Sequence, residues 1–547
     1  NVRFGVDLNT TRMKDYQPQR GFGPRGGFTF SGGLTGLNGG ASPNQANAYA
    51  GFLLGMASSL GKSYQFFNPM TVHEWQSGIY AQDQWQVTRA LTLTLGLRWE
   101  YYPIIRRADG RGIERYDFTN NQVYLGCVAD VPCNAGTDPG TRQFAPRAGL
   151  AWRLNQHTVA RAGFGISRDP YPFSRAMRDP YPVTIAQTIN SANSYSAAGT
   201  LAEGIPALDP VDVSGGVIPL PLDAYTKTLL PGNFNRGYVE SFNFTLERQL
   251  PAHFVSSVAY VGTRSIRQTT YREMNAGQIP GAGSAGRPLN VLFGRNASTQ
   301  AIIPFQTANY NSLQATLNRR YGNGMAFTTS YTYSKSIDYN TDGDSGLLFN
   351  VESELARNRA VSNFDRTHMF VASLATPLPF GKGKRWLSEP GVARAILGDW
   401  QINGIFSAYT GLPFSVTASS ASLNAPSNTQ LADQVKASVE TLGGVGGESW
   451  FDTSAFAPVT EARFGNSGRN TLRGPGRASL DLGLSRRFTF QEKYNLEMRG
   501  EFFNITNTPL FSNPSSSITS GSFGKVTSTI GSAADSRVIR VSGRFSF

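Results

Sequence analysis

Apolar and polar residues alternate with a period of two along several long stretches of this chain. The alternation is clear at the C-terminus, where Ile539, Val541, Phe545 and Phe547 are separated by polar or small residues. It is equally clear in residues 91–101, where leucine and aromatic residues alternate with threonine, glycine, arginine and glutamate. Successive side chains of a β-strand point to opposite faces, so this pattern predicts strands with one apolar and one polar face.

These stretches occur in pairs joined by short turns. The predicted hairpins join residues 75–85 to 91–101, 144–154 to 158–166, 239–249 to 254–261, 310–319 to 325–335, 368–376 to 400–408, and 480–490 to 494–503. Long segments rich in Gly, Pro, Ser and Asn separate the hairpins, at about 103–143, 169–236, 266–305, 337–365, 411–478 and 505–535. Such long loops are uncommon in soluble domains. Short turns at one end and long loops at the other are typical of outer-membrane barrels.

The pattern therefore predicts an all-β fold, a large antiparallel transmembrane β-barrel with long extracellular loops and short periplasmic turns. The hydrophobic periodicity suggests roughly sixteen strands, within the even-numbered range of such barrels. The chain has no run of eighteen apolar residues, so no transmembrane helix is expected. In bacterial outer-membrane barrels the assembly machinery reads an aromatic closing strand. Ile539, Val541, Phe545 and Phe547 are therefore the predicted contact with that machinery, and the predicted location is the outer membrane.

The formal net charge of +13 narrows the choice of partners. Lysine and arginine are dispersed along strands and turns instead of clustered into one patch, so nucleic acid is not an expected partner. A barrel surrounded by anionic lipopolysaccharide, or one with a cationic lumen, accounts for the basic charge. Outer-membrane lipid and lipopolysaccharide are accordingly the expected surroundings.

Cys127 and Cys133 are the two cysteines of the chain and lie in a Gly-, Pro- and Asp-rich segment. Two thiols cannot close a structural zinc site, and no histidine lies nearby. We therefore predict a local disulfide that pins an exposed loop, which implies an oxidising compartment.

An acidic segment resembles the start of an EF-hand calcium loop. Oxygen-bearing residues recur there at alternate positions, namely Asp338, Asn340, Asp342 and Asp344. The twelfth position of such a loop carries a bidentate glutamate, but here it is Phe349. Two interpretations stay open: a loop calcium site, and a solvated turn in which Asp and Asn side chains bond to the local backbone. The missing twelfth ligand favours the turn.

No pattern for catalysis stands out. The four histidines are scattered, and none has a metal-ligand partner four residues away. No nucleophile-elbow signature is present, so we predict that the protein is not an enzyme and, apart from the calcium hypothesis, we expect no cofactor. Residues 380–384 (FGKGK) lack the spacing of a phosphate-binding loop, so we predict a solvated periplasmic turn there.

Several segments resemble the barrel of TonB-dependent receptors. The clearest are residues 80–85 (YAQDQW) and 93–100 (LTLGLRWE). Others are similar to the Oar-like, acidobacterial branch of that family: 144–147 (FAPR), 260–264 (YVGTR), 330–336 (SYTYSKS), 468–476 (GRNTLRGPG) and 501–504 (EFFN). The resemblance covers nearly the whole chain and keeps its order.

The resemblance implies a barrel of about 22 strands around a plug domain, with an N-terminal segment that contacts TonB. We find neither a plug nor such a segment here, and the chain opens inside a strand pattern. Residues 1–547 are therefore expected to be the barrel, the C-terminal part of a longer receptor. The implied function is energy-gated import of a large nutrient captured by the outer loops, whose substrate the sequence does not identify.

Two alternatives stay open. One is a plugless passive pore, or a structural or adhesive surface barrel whose loops bind a partner or a glycan. The other is a soluble, secreted β-rich adhesin, which the aromatic C-terminus disfavours. Loop aromatic residues are the candidate ligand contacts, because loops carry specificity on a rigid scaffold; they are Tyr171, Tyr181 and Tyr195.

Overall fold

One large antiparallel sheet dominates the computed structural model of the chain. The structure describes residues 1–16, 21–36, 45–68, 70–170, 173, 177, 180–208, 210–322, 324–341, 346–490, 493–530 and 536–547. Fourteen long strands of these residues form the sheet: β1 Val2–Asp15, β2 Met70–Gln86, β3 Leu91–Tyr101, β4 Phe144–Asn155, β5 Thr158–Arg168, β6 Tyr238–Gln249, β7 Phe254–Glu273, β8 Thr299–Gly322, β9 Met325–Asp338, β10 His368–Pro377, β11 Gln401–Tyr409, β12 Arg477–Phe490, β13 Tyr494–Phe503 and β14 Val538–Ser546.

Each long strand pairs antiparallel with the next one along the chain, from β1 to β14. All predicted hairpins are confirmed. Three short strands, Arg106–Arg107, Thr226–Leu229 and Ala360–Val361, join the same sheet, so the described sheet has seventeen strands against the roughly sixteen predicted. The sheet formed by β1 to β14 is called the wall below. Within the described residues β1 pairs along its length with β2 alone and β14 with β13 alone, so the wall has two edges there.

Each strand has a row of polar side chains on one side and a row of apolar side chains on the other. The pairing register brings the polar rows of neighbouring strands to one face of the sheet and the apolar rows to the other face. On the apolar face Leu313 lies opposite Tyr333, and Tyr331 lies opposite Phe370. These large side chains are substantially exposed. On the polar face the Arg98 guanidinium forms ion pairs with Asp7 and Glu100. An exposed apolar face of this extent matches the lipid-facing wall of a barrel, with the polar face towards the lumen.

One glycine lets an aromatic ring cover the backbone of the wall. Gly262 lies opposite Phe242 in the β6–β7 pair. A Cβ atom at Gly262 would lie 2.3 Å from the Phe242 ring, which is well inside van der Waals contact. Glycine at this position therefore makes room for the ring on the apolar face.

The connections between strands are short at one end of the sheet and long at the other. At the short-turn end the connections are 87–90, 156–157, 250–253, 323–324, 491–493 and the longer 378–400. At the long-loop end they are 16–69, 102–143, 169–237, 274–298, 339–367, 410–476 and 504–537. This asymmetry confirms the predicted arrangement of short turns and long loops.

The long loops contain secondary structure of their own. Their short strands are Gly27–Thr29, Met56–Ala57, Ser59–Gln65, Arg106–Arg107, Glu114–Asp117, Gln122–Leu125, Thr137–Asp138, Thr184–Asn190, Gly199–Thr200, Val217–Pro219, Thr226–Leu229, Gly232–Asn233, Ala360–Val361, Pro413–Phe414, Asp433–Gln434, Phe456–Ala457 and Leu472–Arg473. The described α-helices are Gln45–Leu53, Pro288–Phe293 and Val392–Leu397, the last of them in connection 378–400. The 3₁₀ helices are Gly32–Thr35, Pro251–His253, Gly283–Gly286, Glu352–Asn358 and Thr453–Ala455. Among the described helices, none has the length and apolar character needed to span a bilayer.

The loops pack together into a folded cap. One buried apolar cluster joins Met70 and Val72 of β2 to Tyr271 of β7 and Ile302 of β8, with loop residues between them. β2 and β7 are five strand steps apart, about 24 Å at about 4.8 Å per step. The strand ends and loops therefore converge on one another instead of standing above their own hairpins.

A buried cation helps to hold this part of the cap together. The Arg236 guanidinium carbon lies 4.4 Å from the Phe173 ring centre and 5.1 Å from that of Tyr102. Burial lowers the pKa of Arg236 to about 10, so the side chain is still a cation at neutral pH. A guanidinium over aromatic faces is a favourable contact once water is excluded.

The predicted disulfide is present in loop 102–143. Cys127 and Cys133 are bonded to each other. The Cys127 amide donates to the Val131 carbonyl at 3.0 Å, and the Ile113 amide donates to the Cys133 carbonyl at 3.3 Å. The disulfide thus closes a tight turn and fixes it to the neighbouring backbone.

The two faces of the wall generate a test with neighbouring residues of β3. Leu95→Arg places a charge on the apolar face, and we expect it to lower the free energy of unfolding by about 2–4 kcal/mol in a bilayer. Thr94→Arg, on the polar face, should have a much smaller effect. Urea unfolding in phosphatidylcholine vesicles, followed by tryptophan fluorescence, measures both. Equal destabilisation by the two variants would contradict the assignment of faces.

Candidate ligand cleft in the folded loops

An open cleft of about 580 Å³ lies among three of the long loops. The loops are 339–367, 410–476 and 504–537, which follow β9, β11 and β13. Its lining residues are Tyr339, Asn340, Thr341, Gly346, Leu348, Asn363, Pro413, Phe414, Ser415, Thr417, Thr429, Leu431, Arg469, Asn470 and Asn513. A cavity of this size is within the range of small-molecule sites in proteins.

A buried ion pair forms one wall of the cleft. The Arg469 and Asp338 side chains are 4% and 6% exposed and bond to each other. The same guanidinium donates to the carbonyl oxygens of Tyr339 and Asn358, each at 2.6 Å. Charged groups this deeply buried need such complete pairing, because their desolvation is costly. Arg469 therefore joins loop 410–476 to the end of β9 and to loop 339–367.

Asn470 extends this connection by one residue. Its amide nitrogen donates to the Val361 carbonyl and to the Asn363 side-chain oxygen, both at 2.7 Å. Its backbone N–H donates to the Ser415 hydroxyl at 2.8 Å. Asn470 has a φ of +56°, a left-handed conformation that asparagine tolerates better than most residues. The backbone conformation directs the side chains of Arg469 and Asn470 into loop 339–367.

Arg473 makes a second ion pair between the same two loops. Its guanidinium bonds to the buried Asp365 carboxylate and donates to the Gly411 carbonyl at 3.2 Å. Asp365 also accepts a hydrogen bond from the Ser336 amide at 2.6 Å. The segment 468–476 carried part of the family resemblance in the sequence but had no assigned role. In the structure this segment has a role, because its side chains join loop 410–476 to loop 339–367 at the cleft.

The described lining of the cleft combines uncharged polar side chains with apolar surface. Nine lining residues carry amide or hydroxyl groups: Tyr339, Asn340, Thr341, Asn363, Ser415, Thr417, Thr429, Asn470 and Asn513. Arg469 is the charged residue among the described lining residues, and Asp338 neutralises it. Tyr339 and Phe414 add aromatic surface. Among the described residues, the lining therefore offers hydrogen-bond groups and aromatic surface but no net charge, while Asp342 and Asp344, between Thr341 and Gly346 in the sequence, lie outside those residues.

Two of the four predicted calcium ligands can be placed. Asp338 binds Arg469, and its second carboxylate oxygen accepts from the Thr341 hydroxyl at 2.9 Å, while Asn340 lines the cleft. Asp342 and Asp344 lie outside the described residues. The described part of the chain brings together no group of three His, Cys, Asp or Glu residues that could hold a metal. The calcium site stays a prediction. At Asp338 the positive charge beside the carboxylate comes from the Arg469 guanidinium.

Other predicted residues have different surroundings. Tyr181 is buried in a loop cluster and so cannot contact a ligand there, whereas Tyr195 is exposed. Tyr171 lies outside the described residues. In the C-terminal strand the apolar residues are exposed, namely Ile539, Val541, Phe545 and, just beyond the strand, Phe547. Their role in barrel assembly stays a prediction.

The buried ion pair generates a mutational test. Arg469→Met leaves the Asp338 carboxylate buried without a partner, and we expect a cost of about 3–5 kcal/mol in the stability of the cap. The double variant Arg469→Met with Asp338→Leu should recover much of that cost. Faster amide hydrogen exchange in residues 352–361 of the Arg469→Met variant would show that the cap has lost stability.

Lys436→Met is the matched control in the same loop. It removes an ion pair with Asp452 in which the two side chains are 49% and 25% exposed, so we expect a cost of less than about 1 kcal/mol. An Arg469→Met variant with unchanged exchange in the loops would show that this pair does not hold the cleft together.

The family comparison agrees with the architecture. A family model described as an outer membrane beta barrel domain matches residues 1–540. No curated protein matches the sequence. Among solved structures, the FrpB iron transporter of Neisseria meningitidis is 10% identical, with a TM-score of 0.41 and coverage of 100% of this chain and 52% of that one. FpvA of P. aeruginosa, bound to heterologous pyoverdines, is 11% identical, with a TM-score of 0.42 and coverage of 100% and 54%.

The outer membrane transporter YddB of Escherichia coli is 9% identical, with a TM-score of 0.40 and coverage of 100% and 55%. The chain thus spans about half the length of each of these proteins.

Proposed function

This chain belongs to the outer membrane beta barrel domain family, and on that premise we propose that it is the barrel of a TonB-dependent, Oar-like receptor. In this proposal the folded loops capture a large nutrient at the cell surface, and energy transmitted through TonB gates its import. The barrel wall supplies a polar lumen for passage and an apolar surface for the outer membrane.

The absence of net charge among the described lining residues of the cleft is the observation that carries the ligand class. A buried charge attracts an ionic ligand only if it is not already neutralised, and Arg469 is paired with Asp338. Amide and hydroxyl groups together with aromatic rings suit a neutral, polyhydroxylated ligand. We therefore propose a neutral oligosaccharide as the chemical class that the cleft captures.

The folded cap favours a receptor over an open pore. Loops from β2 to β8 share a buried cluster, and the Arg469 and Arg473 ion pairs join the loops that follow β9 and β11. A passive pore has no need of loops held in one defined arrangement. A binding site does, because pre-organised groups bind with a smaller loss of conformational entropy.

A structural or adhesive barrel is the second candidate, and one observation favours it. The loop helix Gln45–Leu53 exposes Tyr49, Phe52 and Leu53, and Leu54 directly after it is exposed as well. Clustered apolar side chains on an exposed surface are typical of protein-binding sites.

Ligand capture by the cleft can be tested with maltoheptaose as the neutral probe and hexagalacturonate as the anionic one. Thr429→Trp fills the cleft, and we expect it to weaken maltoheptaose binding by at least about tenfold. Ser420→Trp, exposed in the same loop but outside the lining, should leave binding unchanged. Calorimetric titration of the chain in detergent measures both.

Equal affinity of the Thr429→Trp variant and the unaltered chain would contradict binding in this cleft. Preferential binding of hexagalacturonate would contradict the proposed ligand class while leaving the cleft as the site.

Energy gating needs a separate measurement on cells that make the whole mature protein. A protonophore should abolish uptake of fluorescent maltoheptaose but leave its binding to the cell surface unchanged. Uptake that persists without the proton-motive force would indicate a passive pore. Surface binding without any uptake would indicate the adhesive barrel.

A further inference from the structure

The connection 378–400 is an exception at the short-turn end of the wall, where the neighbouring connections are tight turns. It joins β10 to β11 and contains the helix Val392–Leu397. It also carries the basic run 382–386 (KGKRW), which the sequence predicts to be a solvated turn. The structure shows such a turn, with Lys382, Gly383 and Arg385 exposed, as part of a longer folded segment.

Arg486 shows which face of the wall this segment covers. Arg486 lies on β12 in the same row as Leu484 and Phe488, so it belongs to the apolar, lipid-facing side. It is nevertheless only 9% exposed. Its guanidinium donates to the carbonyl oxygens of Ala395 and Ile396 at 2.7 and 3.0 Å. The helix therefore lies against the apolar face of the wall, where two of its carbonyl oxygens accept hydrogen bonds from this guanidinium.

Further contacts give the segment a defined shape. The Trp400 indole N–H donates to the Ile396 carbonyl at 2.9 Å. The Asp399 amide donates to the Phe380 carbonyl at 2.8 Å, and the Lys382 amide donates to the Asp399 carboxylate at 3.2 Å. The Phe380 and Trp386 ring centres are 5.4 Å apart. The two ends of the connection are thus held together beside the wall.

The outer surface of the segment combines large apolar side chains with cations. Val392, Ile396 and Leu397 are 76%, 61% and 57% exposed, and Trp386 is exposed as well. Lys382 and Arg385 are also exposed, and the Arg385 guanidinium carbon lies 4.9 Å from the Trp386 ring centre. In water such apolar exposure is unfavourable. At a membrane interface it is favourable, because apolar groups enter the acyl boundary while cations contact lipid phosphates.

We propose that residues 378–400 are an interfacial anchor that binds anionic phospholipid of the periplasmic leaflet. The segment is continuous with the lipid-facing wall, which fixes its depth at the membrane boundary. The short-turn end of an outer-membrane barrel is periplasmic, so the lipid beside it is phospholipid. The segment carries four cations, Lys382, Lys384, Arg385 and Arg394, against two anions, Glu389 and Asp399, which gives it charge complementarity with an anionic headgroup.

Lipid retention by the full chain tests this anchor. The chain is extracted from vesicles of phosphatidylglycerol and phosphatidylcholine in equal amounts, and native mass spectrometry counts the lipids that stay bound. We expect the unaltered chain to retain phosphatidylglycerol preferentially. The double variant Lys382→Glu with Arg385→Glu should reduce that preference by at least about tenfold.

The matched control is Arg25→Glu with Arg142→Glu, which reverses two exposed cations at the long-loop end. We expect it to keep the preference for phosphatidylglycerol. An unchanged preference in the Lys382 and Arg385 variant would overturn the proposal. An equal loss in the control would also overturn it, because general charge and not this segment would then decide lipid binding.

The apolar side of the anchor has its own measurement. Brominated phosphatidylglycerol quenches tryptophan within the bilayer, and comparison with Trp386→Phe isolates the contribution of Trp386. We expect Val392→Ser with Ile396→Ser to reduce that quenching by at least half while the β-sheet circular dichroism spectrum is unchanged. Absence of any Trp386 contribution in the unaltered chain would place the segment in water and contradict the anchor.

Discussion

The pairing of backbone polar groups is the constraint on which the rest of this structure depends. Hydrocarbon offers no hydrogen-bond partner, so a chain that crosses a bilayer as strands must satisfy its N–H and C=O groups between neighbours. The simplest way is to pair each strand with the next along the chain, as consecutive strands from β1 to β14 do. Strand length, short turns and the strict alternation of side chains all follow from that arrangement.

The same pairing allows the two ends of the wall to differ. A tight turn keeps neighbouring strands in register, and the polar and apolar rows stay on their own faces from one strand to the next. The long loops are free of that constraint and fold around clusters of their own. Arginines add to these clusters: Arg236 and Arg469 are buried and Arg473 is partly buried, and they pair with rings, carboxylates and carbonyl oxygens.

A folded cap, and a cleft without net charge among its described lining residues, agree with the proposed capture of a neutral ligand. Because Asp338 and Asp365 neutralise the arginines of the cleft walls, the positive charge of the chain as a whole does not determine the character of this site. At the short-turn end, Arg486 lies on the apolar face and donates to two carbonyl oxygens of the helix Val392–Leu397. These hydrogen bonds hold the helix against the wall. Buried cations therefore shape both ends of the molecule.

The sequence by itself determined the wall, because a period of two is a local property and each strand carries it independently. The hairpins from 75–101 to 480–503, the C-terminal strand and the Cys127–Cys133 disulfide were all predictable in this way. The cap and the cleft were not. The contact of Arg469 with Asp338 joins residues 131 positions apart, and its partner had been assigned to a calcium loop or a solvated turn. Only tertiary structure brings such residues together, because irregular loops have no period that reveals which residues meet.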